Sequence, residues 1–511
     1  MKFGYFCNTT NWDHKPYDQL LNETQEITTY CDENNWDSIW YTEHHFNHEG
    51  MESCTNPLMM GADAAARTKQ IRIGQACNVI TFHNPIRMAE DIALLDQLSK
   101  GRVEIGIGRG IYGREAINMN KEADLKDQAK NFRLFDESLT IMKKAWTEKF
   151  FSHQGEFYNY PTPGFNWQHD MSPPSEEFLD TKTNEIKKIS IVPKPKQLPH
   201  PPIWQVVDGA RSIEWAAQNG LNTIMWIPTV KALKTRFEIY RDAKSKTENR
   251  EVPLGEGISL VRDMFVAETM EEAEKMAGEH IINYMKWVCH WRGLGNHMDP
   301  GEELPDTKHK LDLLNYDFLH KRNLLFGTPE YVVNKINELK SELNLQNLQV
   351  WSNFPGIDHE ACMRSIKLFN NEVIPKINLN ISNNRPILWY MGIFGGLLTL
   401  TRAFINKNIL FDPEKYLKKV NEYINLNDEW LKNPTNSELG KLVDAWVNLI
   451  MSKNLNELLV LYNDVVKLGK GGNTPDLPNY GKGTTTLSSI ILENEIYNRK
   501  TQNKQQGDPE P

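Results

Sequence analysis

The first 378 residues of this 511-residue chain alternate short apolar segments with longer amphipathic ones. Eight of the apolar segments are rich in β-branched and aromatic residues, which favours β-strands. They occupy residues 2–7, 38–41, 71–79, 103–107, 203–207, 223–227, 258–266 and 348–352. Amphipathic segments with helical spacing lie between them, at residues 17–33, 86–98, 132–146, 212–218, 230–244 and 330–343. Strands that alternate with helices in this way predict a parallel (β/α)8 barrel of the TIM type.

Two stretches interrupt this alternation, and a third follows it. Residues 161–202 are rich in proline and charge and are predicted to form a long loop. Residues 284–326 follow the seventh strand and are predicted to be either an active-site lid or a surface loop. We therefore expect a barrel domain at residues 1–378, a helical C-terminal region at 379–500 whose role the sequence does not indicate, and a disordered tail at 501–511.

The composition argues against several classes of partner. The formal net charge is −9 and no long basic run is present, so nucleic acid is not an expected ligand. The six cysteines are scattered without CxxC spacing, which predicts no disulfide framework, no metal site and a reducing, cytoplasmic location. The N-terminus lacks the apolar core of a signal peptide. Residues 387–400 are apolar, but at about 14 residues they are too short for a membrane span.

Glu43, His44, His45 and Phe46 follow the predicted strand at residues 38–41. The carboxyl end of a barrel strand faces the active site, and buried imidazole and carboxylate groups are costly unless they have partners. Adjacent strand residues point to opposite faces, so at most one of the two histidines easily enters a pocket. The alternative is that the pair has no functional role.

Two glycine-containing turns after strands are candidate anion sites. The sequence GIGRG at residues 106–110 places Arg109 after the fourth strand, where glycines permit close approach of a ligand. After the fifth strand, Asp208 precedes Gly209, Ala210, Arg211 and Ser212, and the amides of a helix N-terminus bind anions. The alternatives are an ordinary glycine turn and an ordinary helix N-cap at Ser212. No dinucleotide-binding GxGxxG unit or P-loop is present.

An ordered set of short motifs carries a resemblance to a known family. The motifs are MKFGYF at 1–6, EHHF at 43–46, AED at 89–91, LLDQLSKGR at 94–102, GIGRG at 106–110, EWAA at 214–217, GTPE at 327–330, KLF at 367–369 and VIP at 373–375. Over residues 1–378 the chain resembles the bacterial luciferase-like flavin-dependent monooxygenases, in particular the luciferase alpha subunit. The resemblance implies a TIM-type barrel that uses reduced FMN and O2, through a flavin C4a-hydroperoxide, to oxygenate a small apolar substrate such as an aldehyde or a terpene.

The resemblance also implies roles for individual residues. His44 matches the catalytic histidine of the family, with Glu43 and His45 beside it, and Glu43 is expected to orient His44 or to contact the flavin. Arg109, Gly209, Ala210, Arg211 and Ser212 match phosphate-binding positions, and Arg133 is a further candidate. Ala76 and Cys77 fall where luciferases carry a non-prolyl cis peptide beneath the flavin ring, although small residues there also suit tight strand packing. Phe6, Phe46 and Trp226 are expected to form walls for the ring and the substrate.

The expected partners are a separate flavin reductase that supplies the reduced cofactor, and further copies of this chain in a homodimer or higher homo-oligomer. Gly108 stands where luciferase has a reactive cysteine, and residues 192–202 are similar to non-luminescent members, so we do not expect light emission. Two alternatives remain open: a deazaflavin-dependent hydride-transfer enzyme of the same fold, and a non-catalytic partner subunit like the luciferase beta chain.

Overall fold

The computed structural model describes residues 1–304 and 310–379. Its strands in chain order are β1 (Lys2–Cys7), β2 (Ser38–Tyr41), β3 (Arg72–Gln75), β4 (Asn78–Val79), β5 (Val103–Gly108), β6 (His153–Gln154), β7 (Asn159–Tyr160), β8 (Ile203–Val206), β9 (Asn222–Trp226), β10 (Ile258–Val266), β11 (Leu325–Gly327) and β12 (Asn347–Trp351). Its helices of the α type are α1 (Tyr17–Glu33), α2 (Pro57–Arg67), α3 (Pro85–Leu98), α4 (Gly113–Met119), α5 (Gln128–Thr147), α6 (Ala210–Gln218), α7 (Val230–Glu248), α8 (Met270–Ala273), α9 (Glu279–Arg292), α10 (Tyr316–Arg322), α11 (Pro329–Leu343), α12 (His359–Leu368) and α13 (Ile374–Leu379).

Eight of these strands close into a parallel barrel in the order β1, β2, β3, β5, β8, β9, β10, β12. β12 pairs back on β1 with Asn347 beside Lys2, which completes the ring. All the barrel pairings are parallel, so the carboxyl ends of the eight strands lie at one end of the barrel. The predicted TIM-type barrel is confirmed.

Several helix starts follow from local sequence. The side chain of Asn84 accepts hydrogen bonds from the first backbone amides of α3, and Pro85 follows it. Thr328 does the same for α11, which also begins with a proline, Pro329. Proline at the first helical position has no amide that would be left unpaired, and its backbone angle already suits a helix.

Several predicted segments differ in the structure, and three of these differences bear on the site. The predicted strand at residues 71–79 is two strands, β3 and β4, which are separated by a cis peptide bond between Ala76 and Cys77. Helix α6 begins at Ala210 rather than at residue 212. The first part of the predicted lid or loop at residues 284–326 is instead the second half of α9, which buries residues at helical spacing: Ile281, Tyr284, Met285, Val288 and Cys289.

The long connection at residues 161–202 has no helix or regular strand, as the sequence predicts. The predicted helical region at 379–500, apart from residue 379, and the predicted tail at 501–511 lie outside the described residues. Within the part of the chain that the structure describes, no helix combines the length and the apolar character that crossing a membrane requires.

Gly74 in β3 lies against the ring of Trp40 on the neighbouring strand. A β-carbon at position 74 would overlap that ring. Trp40 is itself held edge-on against Trp204, with ring centroids 5.6 Å apart, and its indole N–H donates to Ser38. The glycine at this position is therefore explained by tight packing between neighbouring strands.

We expect the substitution Gly74→Ala to destabilise the barrel by about 1–3 kcal/mol, because overpacking a filled core forces side chains out of their preferred rotamers. Urea unfolding followed by circular dichroism measures the change. Gly295→Ala is the matched control, since a β-carbon at Gly295 meets no atom within 4 Å. Equal stability of the two variants would contradict this account of the packing.

Candidate active site

A cavity of about 1320 Å³ opens at the carboxyl ends of the barrel strands. It is larger than the usual range of about 300–1,000 Å³ for small-molecule pockets. Residues that directly follow β1, β2, β3, β5 and β8 contribute to its wall. Most of the predicted site residues line it: Phe6, Glu43, His44, Ala76, Cys77, Arg109, Gly209, Ala210, Arg211, Ser212 and Trp226. The barrel thus brings together segments that are more than 200 residues apart in the sequence.

Glu43 is a buried carboxylate with three hydrogen-bond donors around it. Its Oε1 lies 3.0 Å from Nε2 of His45 and 2.6 Å from Nε2 of His83, and its Oε2 accepts the backbone amide of Val79 at 2.7 Å. Burial by itself would raise the pKa of Glu43, but the hydrogen bonds from His45, His83 and Val79 outweigh it and lower the pKa. The carboxylate is ionised at neutral pH, so both imidazole rings donate to it.

His44 points the other way and lines the cavity. Its Nδ1 lies 3.4 Å from Oε2 of Glu52 and 3.5 Å from Oε1 of Glu115. Burial opposes the charged imidazole, but the two carboxylates outweigh it and raise the pKa of His44. The expectation that Glu43 orients His44 is not met, because Glu52 and Glu115 occupy that position.

The carboxylates beside His44 are held by their own partners. Glu52 accepts a hydrogen bond from the hydroxyl of Tyr284 at 2.8 Å, and that hydroxyl accepts from the side-chain amide of Asn8. Glu115, in α4, accepts the backbone amide of His45 at 2.7 Å. The position of the His44 ring is therefore set by groups from the loop between β2 and α2, from α4 and from α9 together.

The positive groups of the cavity wall include Arg109 and Arg211. Burial lowers the pKa of Arg109, and the charge of Arg211 lowers it further, so the two guanidinium groups act on each other. Among the described residues, neither has a carboxylate within salt-bridge distance. Two guanidinium groups on one cavity wall, neither of them paired with a carboxylate, favour binding of an anion.

The N-terminus of α6 adds backbone donors to the same wall. Gly209 is its N-cap, and the hydroxyl of Ser212 donates to the carbonyl of Gly209 at 2.8 Å. The first amides of the helix precede its first internal hydrogen bond, which Ile213 donates to Gly209. The alternative that Ser212 is the N-cap is wrong. We call Arg109, Arg211, Ser212 and these amides the anion cradle.

The glycines of the GIGRG motif serve the packing of the barrel. A β-carbon at Gly106 would overlap the carbonyl oxygen of Gln75, and one at Gly108 would overlap the sulfur of Cys77. Of the three motif glycines, Gly110 alone has a positive φ, at +82°. The first two glycines therefore admit the segment around the cis peptide, which brings Ala76 and Cys77 to the cavity wall.

Aromatic side chains line the cavity on its barrel side. Phe6 and Trp226 have ring centroids 6.2 Å apart, and Trp226 lies 6.0 Å from the ring of Tyr284. The indole N–H of Trp226 donates to Asp263 at 3.2 Å. Burial raises the pKa of Asp263 to about 7.

Three predicted residues are not brought into the cavity in the expected way. The side chain of His45 is turned to Glu43, and Phe46 is 48% exposed with a positive φ of 58°; neither lines the cavity. Arg133 lies at the edge of the cavity, but its guanidinium is paired with Glu156 at 2.8 and 3.0 Å.

The sequence did not reveal the partners of Glu43 and His44, nor two further polar groups of the cavity wall. These are Glu52, His83, Tyr112, Glu115 and Arg292. None belongs to a short motif that sequence patterns identify. The helical spacing of apolar residues from Ile281 to Cys289 was a signal for α9, and with it for the position of Arg292.

The fold and the site define a TIM-barrel protein with a small-molecule cavity at the carboxyl ends of its strands. The family model of the luciferase-like monooxygenases matches residues 1–344. The chain therefore belongs to this family, which confirms the resemblance that the motifs carry.

Curated relatives agree with this assignment. The oxygenase component of a flavin-dependent trigonelline monooxygenase from Acinetobacter baylyi is 26% identical over 382 residues, which cover 73% of this chain and 95% of the relative. The alpha chain of an alkanal monooxygenase from Photorhabdus luminescens is 25% identical over 388 residues, with coverage of 73% and 97%. Both relatives are named as monooxygenases, which supports the assignment of this chain as an oxidoreductase.

Solved structures share the fold. The oxygenating constituent of 3,6-diketocamphane monooxygenase from Pseudomonas putida, in complex with FMN, superposes with a TM-score of 0.58 at 21% identity over 74% of this chain and 98% of that one. An F420-dependent secondary alcohol dehydrogenase gives a TM-score of 0.53 at 17% identity, with coverage of 74% and 98%. The barrel is therefore common to enzymes with different cofactors.

We expect the substitution Glu115→Gln to lower the pKa of His44, because one of the two carboxylates that favour its charged form is lost. Protonated His44 stabilises the fold fully below the unfolded-state pKa of about 6.5, and this stabilisation is lost as the pH rises through the higher folded-state value. NMR titration of histidine side chains measures the shift. Glu49→Gln, which removes a nearby surface carboxylate, is the control; an unchanged pKa of His44 in the Glu115 variant would contradict the assignment.

Proposed function

We propose that this chain is the oxygenase of a flavin-dependent monooxygenase system that uses reduced FMN and O2 to oxygenate a small organic substrate. The observation that carries the proposal is the anion cradle, which fits a phosphate: two guanidinium groups without carboxylate partners, a hydroxyl and the amides of a helix N-terminus. FMN carries a phosphate at one end and a flat ring at the other.

The cavity also offers a place for the ring. From the cradle, the wall continues to Ala76 and Cys77 and to the aromatic side chains of Phe6 and Trp226. A flat, largely apolar ring system gains from such a surface, because apolar area is removed from water. When bound, reduced FMN would supply the electrons that activate O2. The residues of this chain would hold the cofactor, shield the reacting atoms from water and manage protons.

His44 is the proposed group for proton transfer. It lines the cavity, and Glu52 and Glu115 raise its pKa, which favours the protonated imidazole. A protonated imidazole can act as a general acid toward a ligand that lies in the cavity. Glu43, His45 and His83 do not line up with His44 as proton-transfer groups. Their hydrogen bonds fix the position of the segment that carries His44 relative to the segment that follows Cys77.

The relatives support further parts of the proposal. The trigonelline enzyme is named as an oxygenase component, which suggests that a separate reductase supplies the reduced flavin here too. We also propose that the protein is cytoplasmic and assembles into a homodimer or higher homo-oligomer. Light emission is not part of the proposal.

The second candidate function is hydride transfer with a deazaflavin, since a structural neighbour with the same barrel uses F420. That cofactor also carries phosphate, so the anion cradle does not distinguish the two. The mass of the cofactor that purifies with the full-length protein separates them. Tight binding of a deazaflavin together with no binding of FMN would favour the second candidate.

We expect Arg109→Ala and Arg211→Ala each to weaken FMN binding by about 10-fold or more, because each removes a charge-assisted hydrogen bond to the phosphate. Fluorescence titration with FMN measures the dissociation constants. Arg133→Ala is the control at the same rim of the cavity, and we expect a smaller effect because Glu156 already pairs with this guanidinium. An equal loss in all three variants would contradict the assigned cradle.

We expect His44→Ala to reduce oxygenation by about 10²–10⁴-fold while FMN affinity stays within a few fold, since the imidazole acts in proton transfer and not in holding the phosphate. The assay follows consumption of O2 with reduced FMN and the gain of one oxygen atom in candidate substrates by mass spectrometry. Unchanged activity would revive the alternative of a non-catalytic partner subunit.

A further inference from the structure

Arg292 is a positive group of the cavity wall that the anion cradle does not use. It is the last residue of α9, and its side chain is 16% exposed. Like His44 and Cys77 it lines the cavity, and its charge lowers the pKa of both of these residues. Arg292 is therefore a positive group of the wall outside the anion cradle, although its ion partner Asp208 directly precedes Gly209 of the cradle.

The guanidinium of Arg292 makes no hydrogen bond to any other part of the described chain, and its buried Nε has no partner. Its one ion pair is to Asp208, at 3.7 Å, and Asp208 is 44% exposed. Such a long contact to a half-exposed carboxylate contributes little. A guanidinium has five donors in a planar fork, and leaving them unpaired in a buried place is costly.

A second buried donor lies nearby. The hydroxyl of Tyr112 is buried without a well-formed hydrogen bond, although the carboxylate of Glu52 lies close to it. The residue is 6% exposed and lines the cavity. Burial raises the pKa of Tyr112, and the charge of Glu52 raises it further, so the hydroxyl keeps its proton and can donate. The ring of Tyr112 lies 6.1 Å from that of Trp291, the residue before Arg292, which places the two groups in one region of the wall.

We propose that the substrate carries a carboxylate group and that Arg292, with the hydroxyl of Tyr112, binds it at this part of the cavity wall. A carboxylate matches the planar fork of a guanidinium in a bidentate arrangement, which satisfies two of its donors at once. The aromatic rings of Phe6, Trp226 and Tyr284 also line the cavity and suit an apolar or aromatic body for the substrate. The inference rests on the proposed function, and it replaces the purely apolar substrate that the family resemblance implies.

The test measures binding of small probes to the full-length protein saturated with FMN, so that the anion cradle is already occupied. Benzoate, benzamide and benzenesulfonate are titrated by calorimetry and by their effect on the visible spectrum of the flavin. We expect benzoate to bind about tenfold or more tightly than benzamide, because only benzoate forms charge-assisted hydrogen bonds with Arg292. Benzamide binding as tightly as benzoate would overturn the proposal, and tighter binding of benzenesulfonate would overturn the choice of a carboxylate.

Substitutions of Arg292 test whether the probe binds at this residue. Arg292→Ala should abolish the preference for benzoate over benzamide, and Arg292→Lys should retain part of it, since lysine keeps the charge but loses the bidentate fork. Arg114→Ala removes an arginine that is paired with Glu49 on the neighbouring surface and should keep the preference. A preference that survives in Arg292→Ala would overturn the assignment.

Failure of the proposed function has a different signature. If the wild-type protein does not bind FMN, the flavin-dependent activity is wrong, and the same probes are then titrated by tryptophan fluorescence with the protein free of flavin. A preference for benzoate that depends on Arg292 there supports the carboxylate site independently of the cofactor. If FMN binds but no such preference exists, the flavin-dependent function stands and the carboxylate site is wrong.

Discussion

The buried carboxylate of Glu43 is the interaction on which the geometry of the site depends. A buried charge is costly unless it is paired, and Glu43 is paired by His45, His83 and the amide of Val79. These partners tie the end of β2 to the segment that follows the cis peptide and to the turn before α3. With Glu43 and His45 committed to this cluster, His44 is directed into the cavity, where Glu52 and Glu115 favour its charged form.

The barrel brings these local contacts together in one cavity that is lined by both positive and negative groups. Parallel closure brings the ends of distant strands to one face, so the anion cradle after β8 and the histidine after β2 line the same cavity. Arg109, Arg211 and Arg292 line this cavity as positive groups, and the carboxylates of Glu52 and Glu115 lie beside His44. We propose that the anion cradle holds a phosphorylated cofactor and that Arg292 and Tyr112 hold an acidic substrate.

The sequence predicted the barrel because period and composition alone reveal strands that are buried on both faces and helices that cover them. Motifs located His44, Arg109 and Arg211 because these residues directly follow strands. The pairing of Glu43 with His83 and of His44 with Glu115 could not be predicted, since each depends on contacts between residues about 40 and 71 positions apart, which no local pattern encodes. Hydrophobic alternation did not reveal the break between β3 and β4, but the family resemblance placed a cis peptide at Ala76 and Cys77, and the structure has one there.

The most direct test of the central claim is a crystal structure of the full-length protein in complex with FMN. The account predicts the phosphate between Arg109 and Arg211, at the N-terminus of α6 beside Ser212, with the ring against Ala76 and Cys77 and His44 facing it. A phosphate bound elsewhere, with the cradle left to solvent, would contradict the account even if the protein binds flavin.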